Sequence, residues 1–245
     1  MSLYGLIGYP LGHSFSKKYF AEKFEKEGLD DSYELFPVKS VYEISEIIQK
    51  FSNLRGLNVT IPYKQLVLRH LDDTTNIPDG LSACNCIKII DGKTYGYNTD
   101  ITGFEQTLLP RLKNQPDKAM ILGNGGAAEA VKYVLKMNSI TYTIVSRSIH
   151  DGSSLTYNEL DENIISNHTI IVNTTPLGMF PDIDTCPDIP YNGIGKKHLL
   201  YDLVYNPEKT LFLQKGEACG ADIQNGYEML RIQAEESWRI WNGKS

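Results

Sequence analysis

Lys64 and Asp100 stand at the two positions along this chain where a cation and a carboxylate are set up for proton chemistry. Asn58-Val59-Thr60-Ile61-Pro62-Tyr63-Lys64 reads as a β-strand running into a proline turn, which aims Lys64 at whatever lies beyond the strand end. Asn98-Thr99-Asp100 ends a hairpin and begins a helix, a place where a carboxylate can meet that lysine. Such a pair suits reduction of a ketone. Hydride delivered to carbon leaves charge on oxygen, and a lysine can supply a proton or a fixed positive charge there. Taken singly, each residue has an ordinary reading: Lys64 as a surface cation, and Asp100 as the N-cap of a helix starting near Thr102.

A third segment, Gly123-Asn124-Gly125-Gly126-Ala127-Ala128, lies between an apolar strand (Ala119 to Leu122) and a helix from Glu129 to Met137. A dinucleotide needs small residues in such a turn. The bend is tight, the backbone must approach the pyrophosphate, and the helix N-terminus must offer its N–H groups and positive dipole end. Gly123, Gly125, Gly126 and Ala127 are the cofactor candidates here, with Ala128 in place of a third glycine. The next strand ends in Ser146-Arg147-Ser148. An acidic residue there would accept the ribose hydroxyl of NAD, whereas the Arg147 fork suits a 2′-phosphate and favours NADP.

Positioning these groups takes many short elements. Strands are predicted at Leu3 to Gly8, Tyr33 to Val38, Gly56 to Thr60, Cys86 to Ile90 and Thr94 to Tyr97, the last two joined by the Asp91-Gly92 turn. Helices are predicted from Ser16 to Glu27, Val41 to Phe51 and Thr102 to Leu112, with Pro62 in the first turn of another. Asn114-Gln115-Pro116-Asp117 breaks the pattern. Beyond it come apolar runs at Ala119 to Leu122, Tyr142 to Val145, Thr169 to Val172 and Leu199 to Val204, the signature of parallel strands buried on both faces. Phe180 to Lys197 reads as a loose connection, and Tyr227 to Trp241 as a helix. The fold class is therefore α/β in two domains: an N-terminal α/β domain, 1–101, and a Rossmann-like parallel-sheet domain, 102–224. The C-terminal helix within 225–245 packs back on the first.

The 245 residues carry a net charge of −6, so no global field favours nucleic acid or an anionic membrane surface. The 4 cysteines lack metal-ligand spacing, which argues against zinc and reads as free thiols in a reducing cytoplasm. No basic leader precedes the first strand, and no apolar run approaches the ~20 residues of a membrane span.

Eight segments in order give a more specific reading than any one alone. His13-Ser14-Phe15-Ser16, the Asn58 to Lys64 segment, Asn85, Asn98-Thr99-Asp100 and the Gly123 turn are followed by Asn173-Thr174-Thr175-Pro176-Leu177-Gly178-Met179 and Asp202-Leu203-Val204-Tyr205. The Asn225-Gly226 to Gln233 stretch closes the pattern. The chain thereby resembles the shikimate dehydrogenase family over essentially its whole length. The resemblance implies NADPH-dependent reduction of 3-dehydroshikimate to shikimate, with Lys64 as proton donor and Asp100 orienting it. It implies that Ser14, Ser16 and Tyr205 bind the substrate carboxylate, and that Thr60, Asn85, Asp100 and Gln233 hold the ring hydroxyls. Ser146, Arg147 and Ser148 would then take the 2′-phosphate, and Asn173-Thr174-Thr175-Pro176 would line the nicotinamide side. Met179 and Met229 could contact the cofactor ring or equally sit in the core, and Gly226 is a further cofactor-binding candidate. The expected assembly is a monomer or homodimer, with the first domain binding substrate.

The chain departs from the family pattern at four places. Lys17 follows Ser16 where proline is common, Cys86 replaces threonine, Asn225 replaces aspartate, and Asp151 brings a negative charge near the expected phosphate. Two other functions fit the same motifs: an NAD-dependent quinate/shikimate dehydrogenase and a non-catalytic nicotinamide-binding sensor. A methylenetetrahydrofolate dehydrogenase shares the two-domain plan but lacks the serine pair.

Overall fold

The computed structural model describes residues 1–12, 14–112, 118–149 and 153–243. His13, the break at 114–117 and Asp151 lie outside the described residues. The chain divides into two compact units, Met1–Asp100 with Gln233–Ser245, and Ile101–Ile232.

The first unit is built on a five-stranded sheet of order β2-β1-β3-β4-β5. β1 (Leu3–Gly8) pairs in parallel with β2 (Ser32–Pro37) and β3 (Leu54–Val59), while β4 (Cys86–Ile90) and β5 (Lys93–Tyr97) close it antiparallel. Asp91 at φ 49° and Gly92 at φ 77° form the hairpin turn, both in the left-handed region that a two-residue hairpin demands. α1 (Phe15–Glu27) is capped by Ser14, whose hydroxyl accepts from Lys17 N, and ends at Gly28 with φ 65°. α2 (Glu43–Lys50) covers the opposite face with Ile44. An aromatic cluster fills the α1 side: Phe20 stacks on Tyr33 at 4.7 Å and Tyr4 on Trp241 at 4.9 Å.

Pro62 does not start a helix. The Thr60 carbonyl accepts from Tyr63 N at 3.0 Å, so Ile61 and Pro62, joined by a cis bond, form the middle of a tight turn. A 3₁₀ helix begins only at Leu66.

The second unit carries a six-stranded, wholly parallel sheet of order β11-β10-β9-β6-β7-β8. Its strands are β6 (Lys118–Leu122), β7 (Thr141–Ser146), β8 (Leu155–Thr156), β9 (Ile170–Asn173), β10 (Leu199–Asp202) and β11 (Asp222–Gln224). Chain order therefore reverses between β6 and β9, the doubly wound arrangement whose ligands bind at the carboxyl ends of the strands beside the switch point. One core packs Phe104 of α3 (Asp100–Leu108), Val131 and Leu135 of α4 (Gly126–Met137), and Met229 of α7 (Tyr227–Trp241) against one sheet face. The other packs Ile165 of α5 (Glu162–Ser166) and Phe212 of α6 (Leu211–Ala218) against the reverse face.

The boundary within the tail falls at Gln233 rather than Asn225. Met229 is buried in the second core, and a Cβ on Gly226 would stand 2.2 Å from the Leu203 carbonyl oxygen. Ala234 and Trp241, further along α7, belong to the core of the first unit. Among the described residues no helix is long and apolar enough to cross a membrane.

Candidate active site

In the first unit, the turn after β3 brings Lys64 to the start of α3. Lys64 Nζ donates to Asp100 Oδ2 at 2.6 Å, with the side chains only 15% and 8% exposed. The Lys64 carbonyl accepts from Cys84 N at 2.7 Å, which fixes the lysine backbone beside the Asn85 segment. Asp100 sits in the first turn of α3 and spends its carboxylate on the lysine. A charge-assisted contact this short in a mostly dry site is strong and directional, and leaves the ammonium with further protons to offer.

A buried polar network lies beside this pair. Thr99 N donates to Asn85 Oδ1 at 2.7 Å, and Asn85 Nδ2 donates to Thr99 Oγ1 at 3.0 Å and Gln233 Oε1 at 3.5 Å. Ser237 receives Asn58 Nδ2 at 2.9 Å and donates to the Gln233 carbonyl at 2.9 Å. Tyr33 donates to Asn58 Oδ1 at 2.9 Å and also interacts with Ser16, which is buried. Gln233 is 6% exposed and so faces the protein interior, not solvent. Asn58 and Thr99, which the motifs include without a role, and Tyr33 and Ser237, which they do not single out, complete this network. Spacing offered one clue: Ser237 lies one helical turn after Gln233. Thr60 stands in the turn before Lys64, and Ser14 spends its hydroxyl oxygen on the α1 cap.

The neighbouring thiols do not take part as nucleophiles. Burial pushes the Cys84 thiol up to about 12, and Cys86 is raised by the same cause. Both stay protonated at neutral pH.

In the second unit, the candidates gather at the carboxyl ends of β6, β7, β9 and β10. Gly123 has φ 99°, and a Cβ there would meet Thr174 Oγ1 at 2.8 Å. A Cβ on Gly125 would meet nothing within 4 Å, and α4 starts after Gly125 with no side-chain cap. Open space before an uncapped helix N-terminus is what a pyrophosphate requires, so the turn fits a dinucleotide. Arg147 is exposed just past β7. Ser146 donates to the Ser148 carbonyl and shares a 2.8 Å contact with Ser153 Oγ, so its hydroxyl is engaged within the turn. Met229 lies in the core, Met179 is exposed, and Tyr205 is half-buried past β10. Among the described residues no cluster of three or more His, Cys, Asp or Glu side chains could hold a metal.

Asp202, at the end of β10, is fully buried. Its carboxylate accepts from Asn173 Nδ2 at 2.9 Å, Val204 N at 3.0 Å and Thr210 Oγ1 at 2.5 Å. Burial outweighs these donors and raises the group from 3.8 to about 6. A raised folded-state value means that the native state binds the proton more tightly than the unfolded chain. The resulting stabilisation is full below about 4 and is lost as pH rises through about 6. The difference corresponds to ~3 kcal/mol. The stability deficit of Asp202→Asn relative to wild type should therefore widen by about that amount between pH 7 and pH 4. Urea denaturation at the two pH values checks this, and a deficit that stays constant or narrows refutes it.

A family model described as the shikimate dehydrogenase substrate binding domain matches residues 6–87. The chain is 37% identical over 260 residues to a shikimate dehydrogenase (NADP(+)) from Methanococcus maripaludis strain C6, covering 99% of this chain and 92% of that protein. A chorismate mutase/shikimate 5-dehydrogenase fusion protein from Clostridium acetobutylicum superposes with a TM-score of 0.85 at 35% identity, covering 100% of this chain and 92% of that one. The shikimate 5-dehydrogenase of Thermus thermophilus, solved with NADP(H) and shikimate, gives a TM-score of 0.83 at 28% identity over 99% of this chain and 94% of its own. With sequence and fold agreeing across both units, the chain belongs to the shikimate dehydrogenase family.

Proposed function

We propose that this protein catalyses the reversible NADPH-dependent reduction of 3-dehydroshikimate to shikimate, a step toward the aromatic amino acids. The observation that carries the reading is the 2.6 Å Lys64–Asp100 contact beside a buried ring of amides and hydroxyls, in a chain of this family. In this reading the first unit binds the substrate and the second the nucleotide. Bound NADPH supplies a hydride to the substrate carbonyl carbon. Lys64 gives a proton to the oxygen as it becomes an alkoxide, and Asp100 holds the ammonium in place. Thr60, Asn85, Asp100 and Gln233 pair with the ring hydroxyls. A site built of buried polar groups rejects analogues that lack a hydroxyl, because the partner is then left unsatisfied. Ser14, Ser16 and Tyr205 take the carboxylate.

On the nucleotide side, Gly123, Gly125, Gly126 and Ala127 cradle the pyrophosphate. Ser146, Arg147 and Ser148 meet the 2′-phosphate, and Thr174, Gly226 and Met229 stand toward the nicotinamide. We place the enzyme in the cytoplasm as a monomer or homodimer, consistent with four free thiols.

Initial rates of shikimate oxidation with NADP+ and NAD+, repeated with quinate, test the proposal. NADP+ with shikimate should be preferred by about tenfold or more over NAD+, the size of one charge-assisted contact. Absence of shikimate turnover with either nucleotide would sink the reading.

A further inference from the structure

Asp202 and Asn173 are register partners at the carboxyl ends of β10 and β9, both fully buried. Around them donors and acceptors are matched. Asn173 Nδ2 donates to Asp202 Oδ1 at 2.9 Å and to the Leu177 carbonyl at 3.4 Å. Asn173 Oδ1 accepts from Thr175 N at 3.0 Å and Thr175 Oγ1 at 2.6 Å. Rotating this amide by half a turn would set its N–H groups against the Thr175 N–H and its oxygen against the Asp202 carboxylate. The Thr175 N–H and the Leu177 carbonyl favour the observed orientation, and Asp202 supplies the shorter of the two acceptors for Asn173 Nδ2, a carboxylate that donates nothing.

The oxygen on the other side is held equally firmly. Thr210 Oγ1 caps α6 by accepting from Leu213 N at 3.4 Å and donates its own proton to Asp202 Oδ2 at 2.5 Å. The relay thus runs from the α6 N-terminus through Thr210, Asp202 and Asn173 into the Asn173–Gly178 turn. That turn in turn touches the glycine-rich loop. Thr174 N and Oγ1 both donate to the Leu122 carbonyl, at 2.9 and 2.8 Å, immediately before Gly123. Thr174 Oγ1 and Thr175 Cγ2 fill the space that a Cβ on Gly123 would need. β6 and β9 flank the switch point of the sheet, so the relay ends at the two loops that border the nucleotide crevice.

We infer that Asp202 is a positioning residue for the nucleotide. Its buried carboxylate, together with the Thr175 N–H and the Leu177 carbonyl, holds the Asn173 amide in the orientation that builds the Thr174–Thr175 turn against Gly123. The inference rests on the proposed function for the identity of the nucleotide. Asp202 touches none of the reacting atoms and acts through Asn173. Replacing it by asparagine leaves one acceptor oxygen where there were two, so the Thr210 hydroxyl must turn round to accept and the charge-assisted hold on the turn is weakened.

The test is the dissociation constant of NADPH, read by its fluorescence on the full-length protein, together with steady-state kinetics well below each variant's melting midpoint. Asp202→Asn should weaken NADPH binding and lower kcat by about tenfold or more each, with the KM for shikimate changed less than about twofold. Thr210→Val, which removes the donor at the far end of the relay, should move the same two quantities in the same direction. Thr210→Ser, which keeps the hydroxyl, should restore them.

An Asp202→Asn protein that melts earlier yet keeps the wild-type NADPH constant and kcat would overturn the inference, leaving Asp202 a purely structural buried acid. Should that variant fail to fold, Thr210→Val decides alone, and unchanged NADPH binding there overturns the inference too. Wild-type protein that binds NADPH without oxidising shikimate would sink the functional reading only. The positioning claim would still be judged on the binding constants.

Discussion

Lys64→Ala should lower turnover by at least ~10²-fold with only a modest change in the KM for shikimate. The expectation follows from where the proposed mechanism puts the ammonium. Lys64 is held 2.6 Å from Asp100 with both side chains largely withdrawn from water, so in that mechanism it would meet the carbonyl oxygen already oriented. Its contribution grows as negative charge develops on that oxygen, which makes it a transition-state interaction and places the loss in kcat. In the proposed site the ring hydroxyls and carboxylate would still be bound by other residues, so ground-state binding should change little. Truncation also strands the Asp100 carboxylate, and breaking a buried pair in this way typically costs ~3–5 kcal/mol. Thermal melts of Lys64→Ala and Asp100→Asn must therefore accompany the rates, so that activity is compared only between folded proteins. A folded Lys64→Ala enzyme with near-wild-type turnover removes Lys64 from the chemistry.

Among changes outside the proposed site, a large stability loss is expected at Trp241. The indole is 6% exposed, stacks on Tyr4, donates Nε1–H to the Ile87 carbonyl at 3.0 Å, and rests on β3 where Gly56 has no side chain. A Cβ on Gly56 would come within 2.2 Å of the indole nitrogen, so glycine and tryptophan are matched as a pair. Trp241→Ala empties this space among aromatic neighbours that are themselves locked by stacking, and should cost ~3–5 kcal/mol. The carbonyl of Ile87 loses its indole donor as well. Denaturant titration of the two proteins measures the difference. A loss below about 1 kcal/mol would mean that the helix end contributes little to the first unit.

Local signals reported much of the architecture. β1 and α7 occupy the spans that periodicity predicts, and the Asp91-Gly92 turn has the positive φ angles that its residues favour. The short strands were not legible. β8 has two residues and β11 three, too few for any period, and both exist because a neighbouring strand offers a free edge. Pro62 misled for a related reason: proline suits a helix start and a tight turn alike, and the Tyr63-to-Thr60 hydrogen bond selects the turn.

The sequence by itself determined which chemical groups this protein owns and roughly which strand end or helix start each one follows. Gly123, Lys64 and Asp100 could be placed that way, since the preferences involved act within a few residues. Only the tertiary structure decided which groups meet. Lys64 and Asp100 are 36 residues apart, Asn58 and Ser237 179 apart, and Asn173 and Asp202 29 apart, and each pair is joined by a sheet register or a helix packing that no local pattern encodes. Hydrogen bonds between buried side chains depend on distances set by the whole core, to within tenths of an ångström. That is why the donors and acceptors could be named from the chain, and their partners only from the fold.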